Sequence, residues 1–408
     1  MFDVYILPVC AIASGPVSTG RRNMVKRFVA VIITAVIMLL PLAANAEAGY
    51  PLTFERAKAF MNVSNSDLKK LERDENDALG AYRRNADQAK LTDTEGFTVT
   101  IGDKDYRMSY DLETKLMMRK VKELYPEQMK FSWEAARDTR TVTVNKMTST
   151  LRGVFFGVYN ASEDVKLKQM QVDLAARVNK QDKLKLDRGL ITVIAKQESD
   201  YNLQKARNDL NVAKRNYENA VRSFNQFVGL PARAQYTDIV SEDLLSNIDW
   251  KPVDYYIEQA LANRFDIVSI RKQIALKEQE KSIIEDFTVY KNSTTAQDEH
   301  ESLLYDIEQL NMELESMKLT ITDEIKNAYV DVLQAGKSVD SMNNTLKLQQ
   351  NNFSKMQARY KAGLISKNVL DQTEIGLKQV ENGYNATLFD YNTKIMRFND
   401  ATGIGPGY

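Results

Sequence analysis

The sequence predicts a mainly α-helical protein made of two tandem repeats, each a long antiparallel coiled-coil hairpin with at most a short β-hairpin. Helix-breaking residues are scarce, because the 408-residue chain has 17 glycines and 8 prolines, and no proline lies between Pro252 and Pro406. Proline-free stretches of this length favour long helices. An internal repeat and a seven-residue apolar pattern indicate how these helices are arranged.

The internal repeat has one clear register. Gly189-Leu190-Ile191-Thr192 aligns with Gly363-Leu364-Ile365-Ser366, an offset of 363 − 189 = 174 residues. In this register 15 of the 83 positions from 147 to 229 are identical to their counterparts in 321–403. The matches include apolar and turn residues, so the chain is interpreted as a tandem duplication.

The repeat suggests boundaries for the units. We expect a leader, a first unit, a linker and a second unit at residues 1–46, 47–230, 231–250 and 251–408. The hairpin tips are expected near 189–192 and 363–366.

Apolar residues recur every seven positions on both sides of each tip glycine. In the first unit they are Val158, Val165, Val172 and Leu186, with Asn179 interrupting, then Leu203, Leu210, Tyr217 and Phe224, beside a second row of Ala206, Ala213, Ala220 and Phe227. In the second unit they are Val332, Val339, Leu346, Phe353 and Tyr360, then Leu377, Tyr384, Tyr391 and Phe398. Such heptads predict an antiparallel coiled coil whose aromatic residues pack in the seam. Arms of about 35 residues would make rods roughly 50 Å long.

The segments before the long hairpins carry weaker signals. Residues 52–88 and 253–286 are each predicted to be helical. Alternating residues at 97–108 predict a small β-hairpin. The equivalent stretch of the second unit, 287–290, continues into the polar segment 291–301, which is expected to be a loop.

The N-terminus resembles a secretory signal peptide. Lys26 and Arg27 precede an apolar run at 28–42, followed by Ala44-Asn45-Ala46. A basic region, a short apolar region and a small-x-small site describe a cleaved leader. The alternative, an uncleaved anchor, is opposed by the length of about 15 residues, below the roughly 20 that span a bilayer.

The only cysteine, Cys10, lies in this leader. Translation starts at Met1 or at Met24, directly before the signal. Leu7-Pro8-Val9-Cys10 ends like a lipoprotein signal, an alternative that no preceding apolar core supports. The exported part would have no cysteine, which excludes disulfides and thiol chemistry.

Charge and motifs exclude two further classes of function. After the leader, 55 − 4 = 51 basic residues face 55 − 1 = 54 acidic ones, which argues against a nucleic-acid partner. No nucleotide-binding, metalloprotease or nucleophile-elbow motif occurs. His300, the only histidine, is expected in an exposed loop with no second strong metal ligand. We therefore expect no enzyme, no cofactor and no metal site.

Four segments resemble the TolC-like outer-membrane factor family. Residues 260–267 are similar to its A-L-x-N-R-P-D-L opening, with Phe265 in place of proline, and residues 52–57 are similar to the start of a first unit. Residues 360–366 are similar to the Y-x-x-G-x-x-S tip. Residues 391–403 are similar to the closing Y-x-x-A-x-x-x-L-x-x-x-x-G, with Lys394 and Phe398 at the alanine and leucine positions.

This resemblance implies a homotrimer. Three chains with two hairpins each would form a helical tube in the periplasm, capped by a β-barrel in the outer membrane. The tips would dock on a periplasmic adaptor protein fed by an inner-membrane pump. The implied function is an efflux or secretion duct.

Two departures from the family open an alternative. A strand that crosses a membrane needs about 9–11 residues, whereas the runs near residues 97–108 are about five residues long. The alternative is therefore a barrel-less extracytoplasmic coiled-coil protein that docks on an adaptor without forming a pore.

Family members also often carry an acid six positions after the tip glycine. Val369 stands there in this chain, and Asp371 and Glu374 are the nearest candidates for entrance acids.

The tips are the candidate functional site. In each, a glycine would adopt a left-handed conformation and a hydroxyl residue would cap the next helix. The predicted docking residues are Gly189, Leu190, Ile191, Thr192, Gly363, Leu364, Ile365 and Ser366. The alternative is a plain hairpin turn, but apolar side chains exposed at the end of a rod favour a docking surface.

Overall fold

A computed structural model of the chain describes residues 51–240, 250–287, 290 and 293–405. The predicted leader, with Cys10 and both candidate start residues, lies outside the described residues. So do residues 241–249 of the predicted linker. No helix in the described ranges is both long enough and apolar enough to cross a membrane.

The first half of the chain forms three shorter helices, a β-hairpin, a π-helical turn and two long helices. They are α1 Phe54–Ser64, α2 Ser66–Leu91, β1 Gly96–Ile101, β2 Lys104–Ser109, α3 Leu112–Arg119, a π-helical turn Lys120–Leu124, α4 Tyr125–Asp187 and α5 Val193–Val228.

The second half repeats the order of helices. They are α6 Val253–Asn263, α7 Phe265–Glu285, α8 Thr294–Lys361 and α9 Lys367–Thr402. The predicted fold class, mainly α-helical with long antiparallel hairpins, is confirmed.

The outgoing helix of each hairpin is longer than predicted. The returning helices α5 and α9 have 36 residues each, as expected, but α4 has 63 and α8 has 68. The expectation of arms of about 35 residues was therefore wrong for α4 and α8, which are roughly 95–100 Å long. Each has two partners in succession: α4 packs on α2 and then α5, and α8 packs on α7 and then α9.

Each predicted early helix is in fact two helices separated by one extended residue. In the first half this residue is Asn65, whose ψ is 129° and whose Oδ1 accepts the N–H groups of Asp67 and Leu68 at 2.9 and 3.2 Å. An asparagine that caps a helix in this way ends the preceding one. In the second half it is Arg264, with ψ 134°. The next N–H, that of Phe265, donates to Ile404 O at 2.9 Å.

Two apolar clusters lie where the short helices meet the hairpins. The first includes Phe54, Val158 and Phe224, and the second includes Ile267, Val332 and Phe398. Phe224 and Phe398 occupy equivalent heptad positions and both are fully buried. Burial of one such side chain stabilises a fold by about 1.5–3 kcal/mol. The predicted aromatic seam is therefore packing rather than a binding site.

A third apolar cluster lies at the far end of the molecule and corrects the interpretation of residues 291–301. It contains Leu116, Leu124, Ile283, Ile284 and Leu303. His300 was predicted in an exposed loop, but it lies buried in α8, with Nε2 2.8 Å from a Glu285 carboxylate oxygen. Ala296, His300 and Leu303 are spaced along one helix face and are all buried, which explains why residues 294–301 of this segment are helical. Residues 291 and 292 lie outside the described residues.

The predicted β-hairpin is confirmed. β1 and β2 have six residues each and pair antiparallel, from Gly96 opposite Ser109 to Ile101 opposite Lys104. The described residues of 250–405 contain no strand, and residues 288, 289, 291 and 292 of the equivalent stretch lie outside the described residues.

The start of the predicted linker packs on the first half of the chain. The N–H of Leu52 donates to Asp238 O at 2.8 Å, and the N–H of Val240 donates to Leu52 O at 3.0 Å. These two bonds form a single parallel bridge between Leu52 and Ile239. Asn225 Nδ2 also donates to Ala234 O at 2.9 Å. The chain is therefore held to the end of α5 before it continues to the second half.

Asp400 provides a test of the packing at the end of α9. Its Oδ2 is buried and has no hydrogen-bond partner among the described residues. Burial raises the pKa of this carboxyl to about 6. A carboxyl whose pKa is raised on folding favours the folded state at low pH, and this contribution is lost as the pH rises through the folded-state pKa. We expect Asp400→Asn to raise the melting temperature at pH about 7 and to change it little at pH about 4.

Thermal melts followed by circular dichroism at the two pH values measure this difference. Asp331→Asn, which changes an exposed acid on α8, is the control and should shift neither melt. An equal effect of Asp400→Asn at both pH values would show that ionisation of Asp400 does not oppose folding.

Candidate functional site

The first hairpin tip joins α4 to α5 through a glycine turn. Gly189 has φ 69°, a left-handed conformation that glycine adopts without a steric penalty. Its N–H donates to Leu186 O, and the N–H of Leu190 donates to Lys185 O, both at 2.8 Å. These bonds satisfy carbonyl groups at the end of α4. Thr192 then starts α5, since its hydroxyl oxygen accepts the N–H of Ala195 at 3.1 Å.

The second tip joins α8 to α9 with the same geometry. Gly363 has φ 72°, and its N–H and that of Leu364 donate to Tyr360 O and Arg359 O, both at 2.9 Å. The hydroxyl oxygen of Ser366 accepts the N–H of Val369 at 3.4 Å. The predicted left-handed glycines and hydroxyl caps are therefore confirmed at both tips, whereas their docking role stays a prediction.

Each tip presents one leucine to solvent. Leu190 is 68% exposed and Leu364 is 70% exposed, whereas Ile191 and Ile365 are half-buried. The first tip adds Val193 and Ile194, and the second adds Val369, which are also exposed. The tips therefore form an apolar end that the chain itself does not cover.

The two tips lie next to each other because α9 packs along α4. Asn368 Nδ2 donates to Gln181 Oε1 at 2.6 Å. The carboxylate of Asp371 forms ion pairs with Arg177 and with Lys367, the latter at 2.5 Å. Side chains of both hairpins thus meet directly behind the tips.

The predicted entrance acids have different environments. The Asp371 side chain is only 13% exposed and lies between its two cations. Glu374 is half-buried and has no ion pair among the described residues. The structure therefore places Asp371 in the contact between hairpins.

A buried carboxylate strengthens this contact farther from the tips. Glu163 on α4 lies 2.5 Å from Lys378 on α9 and 2.7 Å from Lys166. Burial opposes ionisation of Glu163, yet hydrogen bonds from Lys166 and Lys378 hold the pKa of its carboxyl below the ordinary value. An aromatic stack between Phe156 and Phe389, with centroids 4.1 Å apart, lies on the same interface.

A polar contact also crosses the first hairpin near its tip. Asp200 on α5 lies 2.5 Å from Lys196 Nζ and accepts a hydrogen bond from Asn179 Nδ2 at 2.8 Å. The hydrogen bond from Lys196, followed by that from Asn179, lowers the pKa of the Asp200 carboxyl. Asn179 interrupts the apolar heptads, so this interruption was a sequence signal for a cross-helix hydrogen bond.

An open groove lies between α4, α5 and α9, beside these contacts. Its volume is about 800 Å³, and its walls are mixed, with residues such as Leu174, Ile375, Gln171, Asn202, Gln372 and Gln379. No sequence signal predicted the groove or the pairs Asp371–Arg177 and Glu163–Lys378, because those pairs join residues that are far apart in the chain.

Solved structures of channels share this arrangement. The Campylobacter jejuni CmeC outer membrane channel matches with TM-score 0.53 at 12% identity, over 98% of this chain and 94% of that chain. The VceC outer membrane protein of Vibrio cholerae matches with TM-score 0.56 at 10% identity, over 86% and 96%. CusC, which forms a transmembrane channel, matches with TM-score 0.58 at 11% identity, over 88% and 93%.

This chain has the TolC-like fold. The resemblance inferred from the sequence motifs is thereby confirmed at the level of the fold. No protein-family model matches the sequence, and no curated protein does. These three solved structures are of outer membrane and transmembrane channel proteins.

Glu163 tests the contact between the TolC-like hairpins. Glu163→Gln removes the nearer of two carboxylates around Lys378, the other being Glu381 at 3.8 Å. We expect a loss of about 1–2 kcal/mol, discounted for the partial exposure of both lysines. Glu218→Gln, at an exposed position of α5, is the control and should have little effect.

Urea unfolding of the wild type and both variants measures these stabilities. The difference between wild type and Glu163→Gln should be present near pH 7. It should vanish as the pH falls through the lowered pKa of Glu163, because the wild-type carboxyl is then neutral too. A Glu163→Gln variant as stable as the control near pH 7 would refute the proposed contribution of this ion pair.

Proposed function

We propose that this protein is an extracytoplasmic duct component of an efflux or secretion system. Three copies would assemble into a helical tube, and the paired tips would dock on a periplasmic adaptor protein that an inner-membrane pump supplies. The fold supports this proposal, since the solved structures that share it include outer membrane channels matched over nearly their whole length.

The observation that carries the proposal is the pair of equivalent tips at one end of the molecule. A plain helical turn needs the glycine and the capping hydroxyl, but it does not need an exposed leucine. Both tips nevertheless present one, at Leu190 and Leu364. The Asn368–Gln181 hydrogen bond and the Asp371–Arg177 ion pair hold the tips side by side. A fixed apolar end of this kind favours recognition by a partner.

The outer face of α8 supports assembly into a trimer. Tyr305, Met312 and Leu319 follow one another at seven-residue intervals, Leu333 lies two heptads farther on, and all four are exposed. A row of apolar residues at this spacing is half of a coiled-coil seam without its second helix. We name these four residues the α8 stripe. Another copy of the chain would supply the missing helix in a closed ring.

The proposal includes control of the tube entrance by the carboxylates of Asp371 and Glu374. Asp371 pairs with Arg177 on α4 and with Lys367 on its own helix α9. Movement of α9 away from α4 near the tips would break the Asp371–Arg177 pair, whereas Lys367 would move with Asp371. Glu374 lies one helical turn farther along α9 and would follow the same movement.

The location follows from the same proposal. The predicted signal peptide at 1–46 would export the chain, and the protein would reside in the outer membrane or elsewhere in the cell envelope.

A second candidate function is a coiled-coil spacer that docks on an adaptor without forming a pore. The observation that favours it is the length of β1 and β2, six residues each, against about 9–11 for a strand that crosses a membrane. Conductance of the purified assembly in planar lipid bilayers separates the candidates. Discrete channel openings support the duct, whereas an intact trimer that never conducts supports the spacer.

The tips can be tested by site-specific photo-crosslinking in the cells that produce the protein. A photoreactive residue at position 190 or 364 should crosslink to one and the same adaptor-type protein. The same residue at position 63, where Val63 is 55% exposed far from the tips, should not. If neither tip position crosslinks while the protein is exported and folded, the tips are plain turns.

The α8 stripe gives a test of assembly. Met312→Glu combined with Leu319→Glu places charges in the proposed seam, and we expect the trimer to dissociate into monomers at micromolar concentration. Asn311→Glu combined with Thr320→Glu adds the same charge at exposed neighbouring positions and should leave the trimer intact. Sedimentation velocity measures the mass of each variant. The same mass for the two double variants would contradict the assignment of the α8 stripe as a seam between copies.

A further inference from the structure

We propose that a groove between the end of α5 and the start of the predicted linker binds a small organic anion with an apolar body, such as an aromatic carboxylate. We name it the linker groove. This inference goes beyond the proposed function and requires neither an adaptor, nor a pore, nor assembly into a trimer. The linker groove lies at the end of α5 that is remote from the first tip.

One wall of the linker groove is a single side of α5. The groove has a volume of about 470 Å³, within the range of roughly 300–1,000 Å³ that is usual for small-molecule sites. Lys214, Tyr217, Val221 and Arg222 line it from α5, and Val165 lines it from α4. Positions i, i+3, i+7 and i+8 lie on one side of a helix, so cations and apolar side chains face the same space.

The other wall is the chain just after α5, and a buried asparagine holds it in place. Asn225 is fully buried, and its Nδ2 donates to Ala234 O at 2.9 Å. The hydroxyl of Tyr236 donates to Asn225 Oδ1 at 2.5 Å, and the Tyr236 ring meets Phe224 edge-on with centroids 5.8 Å apart. This wall is therefore formed before a ligand arrives, which lowers the entropic cost of binding.

The linker groove has an excess of positive charge without counter-ions. Lys214, Arg222 and Arg233 line it and are exposed, and none of them has an ion pair or a hydrogen bond to a described residue. Glu218 is the one acid among the described lining residues, so their net charge is 3 − 1 = +2. A cleft lined by one sign of charge concentrates ions of the opposite sign.

The arrangement of these side chains defines the class of ligand. Lys214 and Arg222 are about 12 Å apart along α5, and the apolar surface of Tyr217 and Val221 lies between them. An inorganic anion would leave this surface unused, and a long polyanion needs more cations than three. A carboxylate matches the donor fork of an arginine, and an apolar body attached to it would cover Val221 and Tyr217.

Equilibrium dialysis of residues 47–408 against 2-naphthoate, followed by the fluorescence of the ligand, tests this inference. We expect one molecule to bind per chain. The neutral 2-naphthamide lacks the charge and acetate lacks the apolar body, so each should bind at least about tenfold more weakly. Added salt should weaken the binding of 2-naphthoate, because it screens the attraction of the exposed cations.

Two matched double variants separate the linker groove from general attraction to a basic helix. Arg222→Gln combined with Arg233→Gln should weaken 2-naphthoate binding at least about tenfold. Arg207→Gln combined with Arg215→Gln removes the same charge from exposed positions of α5 that do not line the groove. This control should bind within about twofold of the wild type, since exposed charges at a distance are screened.

Glu218→Gln gives a test with the opposite sign. It removes the one lining acid of the described residues, and binding of 2-naphthoate should become about threefold tighter. Weaker or unchanged binding would contradict the proposed position of the carboxylate. All the substituted residues are exposed, and circular dichroism checks that each variant is folded.

Three results would overturn the proposal. They are no binding of 2-naphthoate by the wild type, equal binding of 2-naphthamide, and equal losses in the two double variants. Unchanged 2-naphthoate binding by the Arg222/Arg233 variant together with loss of trimers would assign these arginines to acids of a neighbouring copy instead. Crosslinking at the tips is measured separately, so failure of the proposed function and failure of this inference are distinguishable.

Discussion

The structure depends on the packing of α4 and α8 against their partner helices. Helices of 63 and 68 residues gain most of their stability from packing rather than from intrinsic propensity. Each therefore needs a partner along its whole length. A short helix of the same half of the chain covers the first part, and the returning helix of the hairpin covers the second.

The row of long helices has an open margin on each side. The long helices lie in the order α5, α4, α9 and α8, because α4 and α9 each pack against two others. Helices α5 and α8 are at the margins. The apolar residues that would face a further helix remain exposed at the α8 stripe. A second and third copy would cover what this row of helices leaves open.

Much of the fold was predictable from local signals in the sequence. The G-L-I-[ST] turns and the heptads on either side predicted both tips and both returning helices. The β-hairpin followed from alternating residues around Gly102. The helices predicted within 52–88 and 253–286 are present, but the breaks at Asn65 and Arg264 were not predicted, because an asparagine and an arginine carry little signal by themselves.

The remaining errors have physical causes too. The segment at 291–301 is polar on one face only, and its buried Ala296 and His300 differ from the usual apolar pattern. The contacts between the hairpins, such as Glu163 with Lys378 and Arg177 with Asp371, depend on how α9 packs on α4. A single sequence contains no periodicity that reveals such pairing. The site was therefore predictable as two separate turns but not as one surface.

The two ends of the molecule have different chemistry. One end has paired turns, each capped, with leucines held by polar contacts just behind them. The other has a short strand pair next to the third apolar cluster. The long helices connect the two ends and hold them roughly 95–100 Å apart.

The most direct test of this account is the native mass of residues 47–408, measured by light scattering after size-exclusion chromatography, with and without mild detergent. The account predicts a particle of three times the mass of one chain, because each copy leaves a coiled-coil seam that another must cover. A monomer at every concentration, in both conditions, would contradict it.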